Sequence, residues 1–252
     1  WQYIKIFSTR SPQQFGWPIR IGSILLTWAI NITHLMNDPK RFCFLFIVAL
    51  SAHAFYVLAQ KEKTVIESRY DAEMKSLFQN PAVRSAFKTI TELEPETLKD
   101  LITLTEIPAP PFKEGKRAEK FAQMLRNAGA DSVWIDNEGN VIGLRKGQSR
   151  RKTVLIEAHL DTVFPEETNV KVRQRGDTLF APGIGDDSRG LAVVLALLKT
   201  LSKTNISTEA DILFAGTVGE EGLGDLRGVK ALLNTRSLRI DSYIALDVEG
   251  FR

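Results

Sequence analysis

Cysteine is nearly absent from this 252-residue chain: Cys43 stands alone. A single thiol excludes an internal disulfide framework and any multi-cysteine zinc site. Histidine is scarce as well, with only His34, His53 and His159, so any imidazole chemistry must draw on those three. Excess charge of one sign is also missing, because 33 Lys and Arg against 30 Asp and Glu leave a formal net charge of +3. That balance makes no electrostatic case for nucleic acid, and no basic patch is interleaved with aromatics. Lys146 to Lys152, with Arg150-Arg151 inside it, reads as a solvated turn between strands. No long internal repeat is evident. The remaining composition, 44% apolar and 25% charged, is that of an ordinary globular protein. The length holds one large or two small domains.

The most informative stretch is Glu157-Ala158-His159-Leu160-Asp161-Thr162-Val163. It follows an apolar β-branched run, Thr153-Val154-Leu155-Ile156. Residues i and i+2 of a strand share a face, so His159 and Asp161 leave the strand end side by side. That suits a metal ligand with an acidic partner that orients its ring and raises its basicity. Three more carboxylate groups follow. Gly183-Ile184-Gly185-Asp186-Asp187 precedes an apolar helix from about Leu191, where the plain alternative is a turn with helix-capping acids. Asp211-Ile212-Leu213-Phe214-Ala215-Gly216-Thr217-Val218-Gly219 is a buried strand running into Glu220-Glu221, whose adjacent charges repel unless cations or a shared proton compensate. Tyr243-Ile244-Ala245-Leu246 ends in Asp247, with Glu249 two residues beyond as a competing ligand.

Four strand ends thus deliver His159, Asp161, Asp186, Asp187, Glu220, Glu221 and Asp247. In open α/β sheets, ligands sit beyond the carboxyl ends of the strands. Histidine with carboxylates suits zinc, and manganese or cobalt would also be accepted.

With these motifs in hand, the chain resembles the M20 family of zinc exopeptidases and amidohydrolases. Members include peptidase T-like tripeptidases, glutamate carboxypeptidases, dipeptidases, and acetylornithine or succinyl-diaminopimelate deacylases. The resemblance runs from about Leu101 to the last residue. It covers Glu106-Ile107-Pro108-Ala109-Pro110-Pro111, the His-x-Asp, the Gly-x-Gly-Asp-Asp, the Glu-Glu and the final Asp, in the family's order. It departs after the Asp-Asp pair, where the family often has Lys-Gly and this chain has Ser188-Arg189-Gly190.

The resemblance implies two zinc ions per complete site and a role for each residue. His159 would bind the first metal, with Asp161 orienting its ring. Asp186 would bridge the metals, through a cis Asp186–Asp187 peptide. Glu220 would be the general base, Glu221 would bind the second metal, and Asp247 would complete the first metal's shell. The ligand groups of His159, Asp186, Glu221 and Asp247 should then lie within roughly 6 Å of a common centre. The implied reaction is hydrolysis of an amide bond in a small peptide, of the exopeptidase type, or in an N-acyl amino acid. A non-catalytic peptide-binding protein on the same fold is the alternative from another class, and retention of Glu220 argues against it. The family also uses a second histidine and an inserted dimerisation domain, with a homodimer as the implied assembly. Neither is present before Arg252, so the chain reads as an open-ended fragment.

The first sixty residues do not read as part of the enzyme. Residues 1–35 are expected to be an upstream segment. From Met36, a short basic start, an apolar run Phe42 to Leu50, and small residues before cleavage after Ala54 or Ala59 read as a signal peptide over 36–59. The alternative is an uncleaved membrane anchor, since the apolar stretch is close to the minimum for spanning a bilayer. A secreted or periplasmic location follows from the first reading. Residues 60–252 are then the N-terminal part of the catalytic domain. Helices are expected from Lys61 to about Phe78, Pro81 to Lys88, Glu94 to Leu104 and Glu114 to Asn127, and strands at Ser132–Ile135 and Val141–Arg145. Alternating strands and helices continue through the motifs. The fold class is therefore α/β, a mixed, largely parallel sheet with helices on both faces.

Overall fold

The computed structural model describes residues 3–5, 68–235 and 238–247. Contacts divide the chain into Thr9–Ser76 and the remainder. Of the former only Ser68–Ser76 is described, in the first part of helix α1 (Ser68–Gln79). The expected signal segment at 36–59 lies outside the described residues, as does the upstream segment apart from Tyr3–Lys5. Among the described residues no helix is long and apolar enough to cross a membrane.

Among its described residues the larger unit contains five further α-helices and two sheets. Helix α2 (Pro81–Glu92) starts where the sequence breaks: the Asn80 side chain accepts a hydrogen bond from the Ala82 N–H at 2.9 Å, and Pro81 opens the first turn. Helix α3 (Glu94–Thr105) carries Glu94 and Glu96 in its first turn and buries Leu101 and Leu104. Helix α4 (Gly115–Asn127) buries Ala118, Phe121, Ala122 and Leu125, a helical stripe. Helix α5 (Ser188–Lys203) is capped by Asp187, whose Oδ1 accepts from the Gly190 N–H at 2.9 Å.

The main sheet has five strands: β2 (Ser132–Ile135), β3 (Val141–Arg145), β4 (Thr153–His159), β7 (Asp211–Thr217) and β8 (Ser242–Ala245). Their order is β2-β3-β7-β4-β8. The β2–β3 and β3–β7 ladders are antiparallel, and β7–β4 and β4–β8 are parallel. The antiparallel β2–β3 pairing follows from the short connection at Asp136–Asn140, since a hairpin joins only antiparallel strands. Asp136 Oδ1 accepts from the N–H groups of Glu138, Gly139 and Asn140 and closes that turn. A second sheet, β1-β6-β5, joins β1 (Tyr3–Lys5), β6 (Thr178–Phe180) and β5 (Arg173–Arg175).

Helices α4 and α5 cover one face of the main sheet, where Phe121, Leu125, Leu191 and Leu195 meet Ala158, Phe214 and Leu160. The other face receives Leu232 of α6 (Arg227–Asn234) against Ile142, Leu155, Leu213 and Ala215. Burying each such aliphatic or aromatic side chain contributes roughly 1.5–3 kcal/mol. The packed strands therefore anchor the strand ends, and the loops ride on them.

Candidate active site

The register of the three parallel strands brings the expected residues to one edge. Thr153 to His159 pairs with Asp211 to Thr217, so His159 lies level with Thr217. Glu157 pairs with Ala245, which by continuation sets Asp247 level with His159. Glu220 and Glu221 follow β7 by a tight turn at Gly219, which has φ +65°. Asp186 and Asp187 arrive from the α5 side through a cis peptide.

His159, Asp186 and Glu221 form a group whose ligand atoms all lie within 4.8 Å of one another. His159 Nε2 is 2.9 Å from Asp186 Oδ1. Two ligands each about 2.0–2.2 Å from a shared ion, at right or tetrahedral angles, stand about 2.8–3.6 Å apart. The spacing and the nitrogen-plus-oxygen donor set both fit a divalent metal. Asp247 is exposed and stands outside this group of three. It lines a cavity of ≈ 160 Å³ together with His159, Glu220, Glu157, Thr217 and Tyr243. Glu249 lies outside the described residues. His159 is the only histidine among the described residues.

Asp161 is fully buried and holds two groups at once. Its carboxylate accepts the Glu220 N–H at 3.0 Å and the Glu221 N–H at 2.9 Å. It therefore fixes the backbone of both glutamates. Its backbone oxygen lies 3.0 Å from His159 Nδ1, and its carboxylate 3.6 Å away. The ring is thus oriented mainly by the Asp161 carbonyl, and the carboxylate adds its charge.

Asp187 stands outside this group, and its own carboxylate receives the His159 backbone N–H at 3.0 Å and the Gly190 N–H. The two adjacent aspartates divide the alternatives that the sequence left open: Asp186 faces the site and Asp187 caps the helix.

The charges respond to this crowding. Burial opposes a charged His159, but the carboxylates of Asp161 and Asp186 outweigh it and push the imidazole up to about 11. Burial would raise Asp161, yet His159 and the two glutamate N–H groups hold it below the ordinary carboxylate range. Burial raises Asp187 to about 8 against the pull of His159. Burial, then Asp186, push Glu221 up to about 7. Glu220 is raised by burial, with His159 opposing and Asp247, Asp161 and Asp186 adding. A cation among these carboxylates would relieve their mutual repulsion.

Sequence reasoning missed two buried groups. Glu157, buried on β4, accepts from Thr217 Oγ1 at 2.7 Å and from the Tyr243 hydroxyl at 2.6 Å. Burial and Glu157 together raise that hydroxyl's pKa. The available signal was a carboxylate two residues before His159 in an otherwise apolar strand. Arg117 is fully buried on α4. Its Nη1 donates to the Leu160 carbonyl at 2.7 Å, and its Nε and Nη2 donate to the Ile107 carbonyl at 3.0 and 2.6 Å. It ties the Pro-rich segment to the residue between His159 and Asp161. Nothing local in the sequence distinguishes it from a surface arginine.

Residues 155–251 match the profile of Peptidase family M20/M25/M40. This segment is similar to the M20 peptidases. Relatives of the M20 segment include a Pyrococcus abyssi protein assigned as a LysW-lysine/LysW-ornithine hydrolase, 33% identical over 137 residues. That match covers 54% of this chain and 36% of the relative. Carboxypeptidase G2 of Pseudomonas sp. is 29% identical over 148 residues, covering 54% of this chain and 35% of that enzyme. Among solved structures, a tripeptidase from Staphylococcus aureus superposes with a TM-score of 0.53 at 27% identity, covering 62% of this chain and 44% of the other. The chain thus spans about a third of the length of these curated relatives, and under half of the tripeptidase.

Proposed function

We propose that this M20 chain carries the N-terminal part of the catalytic domain of a di-zinc hydrolase that cleaves amide bonds of small peptides, as an exopeptidase. The observation that carries the reading is the group formed by His159, Asp186 and Glu221, with Glu220 on the same turn. His159 and Asp186 would hold the first metal with Asp247, and Asp186 and Glu221 the second. Bound there, the metals would supply Lewis acidity toward the scissile carbonyl and lower the pKa of an attacking water toward neutrality.

The chain's own residues do the rest. Glu220 takes a proton from that water at its carboxylate and returns it to the departing amine. Asp161 fixes the Glu220 and Glu221 backbone, and its carbonyl sets the His159 ring. Burial of His159, Asp161 and Asp187 limits competing water at the ligand side. Zinc fits the donor set best, and cobalt or manganese would substitute.

A second reading, an N-acyl amino-acid deacylase, draws support from the LysW-lysine/LysW-ornithine hydrolase relative. An exported protein with the 36–59 segment as its signal, free of nucleic acid and forming a homodimer at full length, completes the proposal.

The test uses the full-length protein, stripped with a chelator and reloaded with zinc. Trialanine and an N-acetyl amino acid serve as substrates. The reading predicts zinc-dependent release of alanine from trialanine. Faster zinc-dependent hydrolysis of the N-acetyl amino acid would move the assignment to the deacylase. Metal and peptide binding with no hydrolysis of either would identify a binding protein.

A further inference from the structure

We propose that Arg227 is a positioning residue for Glu220, acting through the Gly219 turn with Glu114 as its counter-ion. The inference rests on the hydrolase reading above.

Arg227 opens α6 directly after two left-handed residues, Asp225 at φ 52° and Leu226 at φ 56°. A leucine in that region is disfavoured and persists only where its surroundings hold it. The ties are visible. The Gly228 N–H donates to the Val218 carbonyl at 3.0 Å. Buried Asn140 accepts from the Val218 N–H at 3.0 Å and donates to the Gly228 carbonyl at 3.0 Å. The start of α6 is thereby locked to the end of β7, one residue before Gly219.

The guanidinium then reaches across that junction. Its Nη2 donates to both carboxylate oxygens of Glu114, at 2.9 and 3.1 Å. Glu114 is only 4% exposed. The guanidinium carbon lies 4.7 Å from the centre of the Phe112 ring, a cation–π placement. Nη1 is buried without a hydrogen-bond partner among the described residues. Leaving such a donor unmet is costly, so the guanidinium is held in place by its other contacts.

What it packs against is Gly219. A Cβ at Gly219 would collide with Nη1 and lie 2.9 Å from the Arg227 Cγ. A Cβ at Gly224 would also collide with the Gly219 backbone. Gly219 is therefore in close contact with both Arg227 and Gly224. The next two residues donate their N–H groups to Asp161. The turn that carries the base is pinned from the Asp161 side by hydrogen bonds and from the α6 side by packing. A displacement of about 1 Å at a reacting group can cost on the order of 100-fold in rate. A loosened Gly219 would transmit such a displacement straight to Glu220.

The experiment compares Arg227→Met, Arg227→Lys and the double variant Glu114→Gln/Arg227→Met in the full-length protein. The double variant removes the uncompensated buried charge that Arg227→Met alone would leave. Two readouts are taken: steady-state hydrolysis of trialanine, and amide hydrogen exchange across 211–224 in metal-free protein. In both Met variants kcat should fall about 10- to 100-fold with KM within about threefold, the scale of a small displacement. Exchange at Glu220 and Glu221 should accelerate while β7 stays protected. Arg227→Lys should recover only part of kcat, because an ammonium can still reach Glu114 but cannot reproduce the planar guanidinium's packing on Phe112 and Gly219. Unchanged exchange at 220–221, restoration of full turnover in the double variant, or a rise in KM alone would each overturn the proposal. Should Arg227→Met fail to fold, the Lys and double variants decide. If wild-type protein hydrolyses nothing, the hydrolase reading fails, and the exchange data still judge the brace. If Glu220→Gln abolishes turnover but the Arg227 variants act normally, only the brace is lost.

Discussion

Glu220→Gln in the full-length protein keeps its metal and loses about 10²–10⁴-fold in turnover, the usual contribution of a general acid–base group. The amide nearly matches the carboxylate in shape but cannot accept and return a proton at neutral pH. The fold at this point should tolerate the change, because the Glu220 contact that fixes the turn is its backbone N–H on Asp161, which the substitution leaves intact. Its neighbour should behave oppositely. Glu221 belongs to the group within 4.8 Å of His159 and Asp186, so Glu221→Gln removes a charged ligand and weakens metal binding. Metal analysis beside peptide kinetics separates the two. Near-normal turnover of Glu220→Gln with metal bound would refute the general-base role, and loss of metal from it with retention in Glu221→Gln would reverse the two assignments.

Metal affinity should also depend steeply on pH, rising from pH 6 to pH 8 by about a thousandfold. A metal takes only the deprotonated ligands, so each bound proton must leave first. His159, pushed up to about 11, holds its proton across this whole range. Displacing that proton costs about tenfold in affinity for each pH unit lost. Glu221, at about 7, adds a second proton only below neutrality, contributing about another tenfold by pH 6. The sign is fixed: both groups are raised, so binding is favoured above their pKa values and weakens as pH falls. Competition titrations with a zinc chelator at several pH values check it. A flat profile would mean that His159 and Glu221 are not both ligands.

The grouping of His159, Asp186 and Glu221 was legible in the sequence because His159 ends a regular strand, Glu221 closely follows another, and Asp186 stands just before a helix start. Apolar β-branched runs mark β4 and β7, and a strand's two-residue period places His159 and Asp161 together. Strand limits at Ser132–Ile135 and Val141–Arg145 agree with the structure, since Gly139 and the Asp136 turn bound them locally. The edge of the sheet was harder. A mixed, largely parallel sheet was expected; the parallel part is β7-β4-β8, and the antiparallel part is β2–β3, joined by a hairpin, and β3–β7. Helix α2 extends to Glu92, beyond the expected Lys88, because nothing between them breaks a helix. The short β5–β6 hairpin passed unread, with only Gly176 at φ +61° to mark its turn.

Contacts between residues distant in sequence left no local trace. Arg117 reaches Leu160 and Ile107, Asn140 reaches Gly228, and Arg227 reaches Glu114 across 113 residues. Each is a polar residue whose partner is chosen by the packing of helices on the sheet, so its spacing along the chain carries no signal. Asp161 shows the same limit at closer range. Its place beside His159 was legible, but its capture of the Glu220 and Glu221 N–H groups, 59 and 60 residues away, was not.

The central claim is that His159, Asp186 and Glu221 hold a divalent metal beside Glu220 at the carboxyl ends of β4 and β7. Anomalous diffraction at the zinc edge, from zinc-loaded crystals of the full-length protein, tests it most directly. The account predicts a peak about 2.0–2.2 Å from His159 Nε2 and from an Asp186 carboxylate oxygen, on the Glu220 side of the ring. Full zinc loading with no peak within reach of His159, or a peak ligated elsewhere in the protein, would contradict it.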